Sequence, residues 1–154
     1  YDIPSITSGY NHTGLDLYFE CTVITSIGVF NHFVHPDELF YEESKDKTWH
    51  MMKEGLQEFL KQIDSRYGWL TAVTASESLP YFDSYFNLDY RVLRKPDELE
   101  IHCWNYTHEA SFLLRSTKEV ASSKDCHVQK IGDEMYFVKI TGPEAHIYWK
   151  GSSL

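Results

Sequence analysis

The sequence predicts an α+β chain: helices and strands mixed in the first part, then a small antiparallel β-sandwich. Two observations carry this. Apolar residues recur at steps of three and four through Trp49, Met52, Leu56, Phe59, Leu60, Ile63 and Tyr67. From Asn87 onward the pattern changes to short runs of period two separated by turn-forming residues. The change divides the chain into residues 1–86 and 87–154.

Residues Tyr1 to Asn11 carry Pro4, Ser5, Ser8 and Gly9 and read as loop. Thr13 to Thr25 is ambiguous. Leu15, Phe19 and Val23 fall at helical spacing, whereas Cys21-Thr22-Val23-Ile24-Thr25 is rich in β-branched residues; the first part leans to helix. Ile27 to Val34 reads as a buried strand that Pro36 ends. Phe40 to Lys47 is a charged, solvated connection. The helix from Trp49 to Tyr67 follows, with Asp46 or Thr48 as its cap and Gly68 where a C-terminal cap belongs. Trp69 to Val73 is a short apolar strand candidate. Thr74-Ala75-Ser76-Glu77 fits a capping box, with a short helix after it that breaks or restarts at Pro80.

The β part reads as six strands: Leu88–Arg94, Leu99–Trp104, Ala110–Arg115, Cys126–Ile131, Met135–Ile140 and Ala145–Trp149. Lys95-Pro96-Asp97-Glu98, Gly132-Asp133 and Gly142-Pro143 supply turns.

Hydrophobic residues make up 42% of the 154, enough for a packed core, which excludes wholesale disorder. Fourteen basic residues against 23 acidic ones give a net charge of −9, and no basic stripe is present; a nucleic-acid partner is disfavoured. No apolar run reaches the ~18 residues of a membrane span. Cys21, Cys103 and Cys126 lack a CxxC spacing, which argues against a thiolate zinc site; Cys103 and Cys126 can pair if their strands are neighbours. The chain opens at Tyr1 without a Met or a signal peptide, as expected of a piece of a longer protein. Asn11-His12-Thr13 and Asn105-Tyr106-Thr107 match the glycosylation sequon. There is no Gly-x-Ser-x-Gly elbow and no phosphate-cradling glycine loop.

The stretch Gly28-Val29-Phe30-Asn31-His32-Phe33-Val34-His35-Pro36-Asp37-Glu38 concentrates the candidate chemistry. In a regular strand His32 and His35 point to opposite faces. Pro36 disturbs that regularity at His35, which brings the pair together at the strand's carboxyl end. Neutral imidazole suits zinc, and Asp37 supplies an oxygen ligand. Against this stands a plainer arrangement, with His32 a hydrogen-bonded core histidine and Asp37 a cap on the next turn. Trp104, Tyr106, Tyr136, Tyr148 and Trp149 suit either sugar stacking or a sandwich core, with core favoured.

That stretch, with Ile3-Pro4-Ser5-Ile6-Thr7-Ser8-Gly9-Tyr10, the helix after it, Tyr67-Gly68-Trp69-Leu70, Thr74-Ala75-Ser76-Glu77 and the later Glu109-Ala110-Ser111-Phe112-Leu113-Leu114-Arg115, resembles the C-terminal region of bacterial polysaccharide-deacetylase-like proteins linked to Pel-type exopolysaccharide. The resemblance implies the C-terminal segment of a deacetylase-like α/β barrel over residues 1–86 and an all-β accessory module over 87–154. It implies metal-assisted N-deacetylation of an extracellular glycan, with an extracytoplasmic or secreted location. The implied catalytic residues are His35, as a late general acid, and Asp37; the implied metal ligands are His32 and His35. The metal, zinc, belongs to the complete protein, because the ligating Asp of this class comes from an early strand. The implied partners are a polysaccharide and the remainder of the barrel upstream of residue 1. The alternative is a non-catalytic polysaccharide-binding or structural β module attached to a degenerate barrel.

Overall fold

A computed structural model of the chain describes residues 5–10, 14–26 and 28–151. The Asn11–Thr13 sequon, Ile27, the opening at Tyr1 and the side chains of Leu15 and Phe19 lie outside the described residues. The chain mixes helices with one parallel pair of strands and two antiparallel sheets, and forms no closed barrel among the described residues. It divides into two compact units, Tyr1–Thr71 and Ala72–Leu154. The change from helical to strand patterning falls later than this division, at the end of a helix that belongs to the second unit.

In the first unit, strand β1 (Thr7–Ser8), helix α1 (Gly14–Ser26) and strand β2 (His32–Phe33) form a strand–helix–strand unit whose strands pair in parallel, Thr7 opposite His32 and Ser8 opposite Phe33. The β-branched run at the end of α1 is helical, so tertiary context overrides its strand propensity. The expected strand from Ile27 to Val34 is regular only at His32–Phe33; Gly28 has a positive φ of 77°. Pro36 does end it, opening a 3-10 helix over Pro36–Phe40, and a second 3-10 turn covers Glu42–Ser44.

Helix α2 (Trp49–Arg66) follows, capped by Thr48, whose hydroxyl accepts from the Met51 N–H at 3.3 Å. Of its apolar stripe Met52 and Phe59 are buried, Leu56 and Ile63 are partly so, and Trp49 and Leu60 are half exposed. Gly68 is not a left-handed cap: Tyr67 ends the helix, and a side chain at 68 would press on the Asp64 carbonyl at 3.1 Å. Trp69 to Val73 is irregular rather than a strand.

The second unit begins with α3 (Ala75–Asn87). Its capping box forms as expected: Thr74 Oγ1 accepts from the Glu77 N–H at 3.3 Å, and Glu77 accepts from the Thr74 N–H at 2.8 Å. The helix runs unbroken through Pro80. It lies against the strands it precedes: Ser84 Oγ donates to the His108 carbonyl at 3.4 Å, and the Tyr81 ring meets His108 edge-on at 4.6 Å.

Seven strands follow: β3 (Asp89–Arg94), β4 (Glu98–Trp104), β5 (Ala110–Arg115), β6 (Val120–Lys124), β7 (Cys126–Lys130), β8 (Met135–Ile140) and β9 (Glu144–Trp149). They form two antiparallel sheets, ordered β3-β4-β9-β6 and β5-β8-β7. Both sheets contribute to one core, with Leu99, Ile101, Cys103, Ala145, Ile147 and Trp149 from the first and Leu114, Cys126, Tyr136, Val138 and Ile140 from the second. The strand that patterning missed, β6, is a polar edge with a bulge between Val120 and Ser122. One residue, Asp125, with a positive φ of 53°, carries the chain from β6 in one sheet to β7 in the other. Asp tolerates that left-handed conformation better than most residues. Among the described residues no helix is long and apolar enough to cross a membrane.

Candidate functional site

Two places hold chemically able side chains. The first is the carboxyl end of β2. His32 is drawn into the fold there. Its Nε2 lies 2.8 Å from the Gly9 carbonyl and its Nδ1 lies 2.9 Å from Thr7 Oγ1. A carbonyl only accepts, so Nε2 carries the proton and Nδ1 accepts from the threonine hydroxyl. Gly9 makes this possible: its φ of 89° is accessible to glycine at little cost. The His32 ring packs on Phe59 at 4.6 Å. Using either nitrogen as a metal ligand would sacrifice one of these hydrogen bonds.

His35 differs. Its side chain is 51% exposed, and Nδ1 stands 3.7 Å from Asp37 Oδ1. The Phe33 ring flanks the imidazole edge-on at 4.5 Å. Pro36 and the 3-10 turn fix the backbone: the His35 N–H donates to Glu38 Oε1 at 3.2 Å, and the Glu38 N–H donates to the His35 carbonyl at 3.1 Å. The Tyr41 hydroxyl donates to Asp37 Oδ2 at 3.5 Å. His35 and Asp37 are thus brought together, while His32 is engaged elsewhere. The three do not form a common three-donor cluster among the described residues.

The second place is the outer face of the β4–β9 pair. Alternation along β4 puts Leu99, Ile101 and Cys103 in the core and Glu98, Glu100 and His102 on the opposite face. The antiparallel register sets Glu100 across from His146 and His102 across from Glu144. Lys95, in the turn before β4, donates to both Glu98 and Glu100. The Lys95 ammonium, chiefly, holds the Glu100 carboxyl down to about 2. His102 bridges the Glu100 and Glu144 carboxylates at 3.4 Å each, and His146 Nδ1 lies 3.8 Å from Glu98 Oε2.

Patterning alone leaves His102 and His146 as single histidines on separate strands. The available signal was Glu98-x-Glu100-x-His102 and Glu144-x-His146, each at period two; the register that joins them was not readable. Of the aromatic residues considered for sugar stacking, Tyr136 and Trp149 are core, Tyr106 packs against the core, Tyr148 is half-buried beside His146, and Trp104 is 52% exposed.

The architecture is that of a mixed α and β protein with a small β-rich unit. The chain belongs to the bacterial family described as "Uncharacterised protein conserved in bacteria (DUF2194)", whose model matches residues 1–137. No curated protein and no solved structure matches it.

Proposed function

We propose that this chain is part of a carbohydrate-active, polysaccharide-deacetylase-like protein that removes N-acetyl groups from an extracellular glycan. The observation that carries the reading is the parallel β1–α1–β2 unit with His35 and Asp37 immediately beyond the carboxyl end of β2. Parallel strands joined by a helix are the repeating unit of α/β barrels, and such barrels place their chemistry at that end of the strands.

The reaction is hydrolysis of an acetamide: water adds to the carbonyl, the C–N bond breaks, and acetate and a free amine leave. His35 suits the general acid that protonates the departing amine, with Asp37 orienting the ring. The separation of 3.7 Å is looser than a hydrogen bond, as is common before substrate binds. The zinc of this class does not fit the donors present here. His32 is committed to Thr7 and Gly9, and His35 with Asp37 makes only two ligands. Any metal would depend on residues of the complete protein.

The partner in that protein is the remainder of the barrel. Two strands of two residues make a poor parallel sheet, and parallel sheets are normally covered on both faces. Phe33, Phe40, Trp49, Met51 and Leu60 remain exposed in the first unit, which supports this reading.

The test is acetate release from an N-acetylated glycan by the full-length protein and by His35→Ala. Loss of a general acid should lower the rate by about 10²–10⁴-fold. Equal rates would remove His35 from the mechanism. No release by either protein would favour the second reading, a polysaccharide-binding β module, which rests on exposed Trp104. Glycan binding weakened by Trp104→Ala would then support it.

A further inference from the structure

The outer face of the β4–β9 pair has more negative charge than its ammonium neutralises. Glu98 and Glu100 share one cation, Lys95, through an Oε1 each. Their other oxygens face imidazoles, Glu98 Oε2 toward His146 and Glu100 Oε2 toward His102. His146 Nδ1 is buried and has no hydrogen-bond partner. Such atoms are rare in folded proteins, where a buried nitrogen is normally matched by a donor, an acceptor or an ion.

We propose that Glu98, Glu100 and His146 bind a first-row divalent cation of the zinc class, with Lys95 as a built-in competitor for the same carboxylates. One donor atom from each of the three lies within 4.8 Å of the others. Small side-chain movements would bring all three to the ~2.0–2.2 Å bonds that zinc makes with nitrogen and oxygen. An imidazole beside two carboxylates favours such a metal over magnesium or calcium. The ligands stand on two hydrogen-bonded strands in the middle of a sheet, with Glu100 directly opposite His146, so the backbone beneath them is fixed.

Charge explains the competition. With Lys95 in place, two carboxylates and one ammonium leave a net negative charge. The Lys95 side chain is 47% exposed and can withdraw into solvent. A dication in its place balances the two carboxylates. His102, on the far oxygen of Glu100, would orient that ligand from outside. The inference is independent of the deacetylase reading, whose residues lie in the other unit.

Isothermal titration of the purified chain with Zn²⁺, and with Co²⁺ followed by its visible absorption, tests it; Mg²⁺ is the control. One Zn²⁺ per chain is expected. His146→Ala and Glu100→Gln should each weaken binding by at least about tenfold. Lys95→Met should tighten it, because the ammonium no longer competes, and His35→Ala should leave it unchanged. No stoichiometric binding by either wild type or Lys95→Met would overturn the proposal. So would Zn²⁺ affinity indifferent to His146→Ala with the sheets intact by circular dichroism. Should His146→Ala fail to fold, Lys95→Met decides alone: tighter binding supports the site, and unchanged binding sinks it.

Discussion

Glu100 is a carboxylate only 9% exposed, held there by a lysine from the preceding turn. Its pKa falls from 4.5 to about 2, first because Lys95 donates to it. The folded state therefore favours the charged form. This stabilisation is fully present above the unfolded value near 4.5 and disappears as pH falls through about 2. Urea denaturation of wild type and Glu100→Gln should show the variant less stable at neutral pH, with the gap closing between about pH 4.5 and pH 2. A gap that stayed constant across that range would mean the charge on Glu100 is irrelevant and only its shape matters. The buried thiols behave in the same residue-level way. Burial raises the Cys103 and Cys126 thiols, and both are free; they stand on β4 and β7, in different sheets. Cys126 Sγ is instead within 3.5 Å of the His146 carbonyl.

Among the elements, α3 is the one whose stability is most open to a single test. It contains Pro80, which lacks an N–H for the helical ladder, and it buries only Ser84 among its residues. Its start depends on the reciprocal bonds of Thr74 and Glu77. Thr74→Ala should cost about 1 kcal/mol by chemical denaturation. A loss below a few tenths would show that packing against His108, not the cap, fixes the helix. This cap was legible because it needs only four adjacent residues. The helix α2 was legible for a related reason, since its stripe and its cap Thr48 are local. Six of the strands in the second unit announced themselves by period two. The strand β6 did not: Val120-Ala121-Ser122-Ser123-Lys124 is a polar edge with no alternation to read. The strand β2 was overextended for the opposite reason, an apolar run from Gly28 that only partly enters a sheet. Of the candidate sites, the proximity of His35 and Asp37 could be read from two residues of spacing. The Glu98, Glu100 and His146 cluster could not, because strand register is a long-range property.

On the scale of the molecule, the second unit is stabilised by a core that its final strand completes. The core-cluster residues all lie between Leu99 and Trp149. Within it, β9 occupies an interior place in the four-stranded sheet, between β4 and β6. It contributes Ala145, Ile147 and Trp149, of which Ala145 and Ile147 are wholly buried. The family match, by contrast, stops at residue 137, inside β8. Removing everything after that point would strip β4 and β6 of their shared partner and expose the inner faces of both sheets. Losing even one large aliphatic side chain from such a core costs about 2–5 kcal/mol, comparable to much of a small domain's stability. A fragment of residues 72–151 should therefore fold alone, with dispersed amide resonances and a single cooperative thermal transition. Residues 72–137 should give neither. If the shorter fragment gave the same dispersed spectrum, β9 would be an accessory to the two sheets and not part of their core; if the longer one stayed unfolded, the second unit would depend on the first.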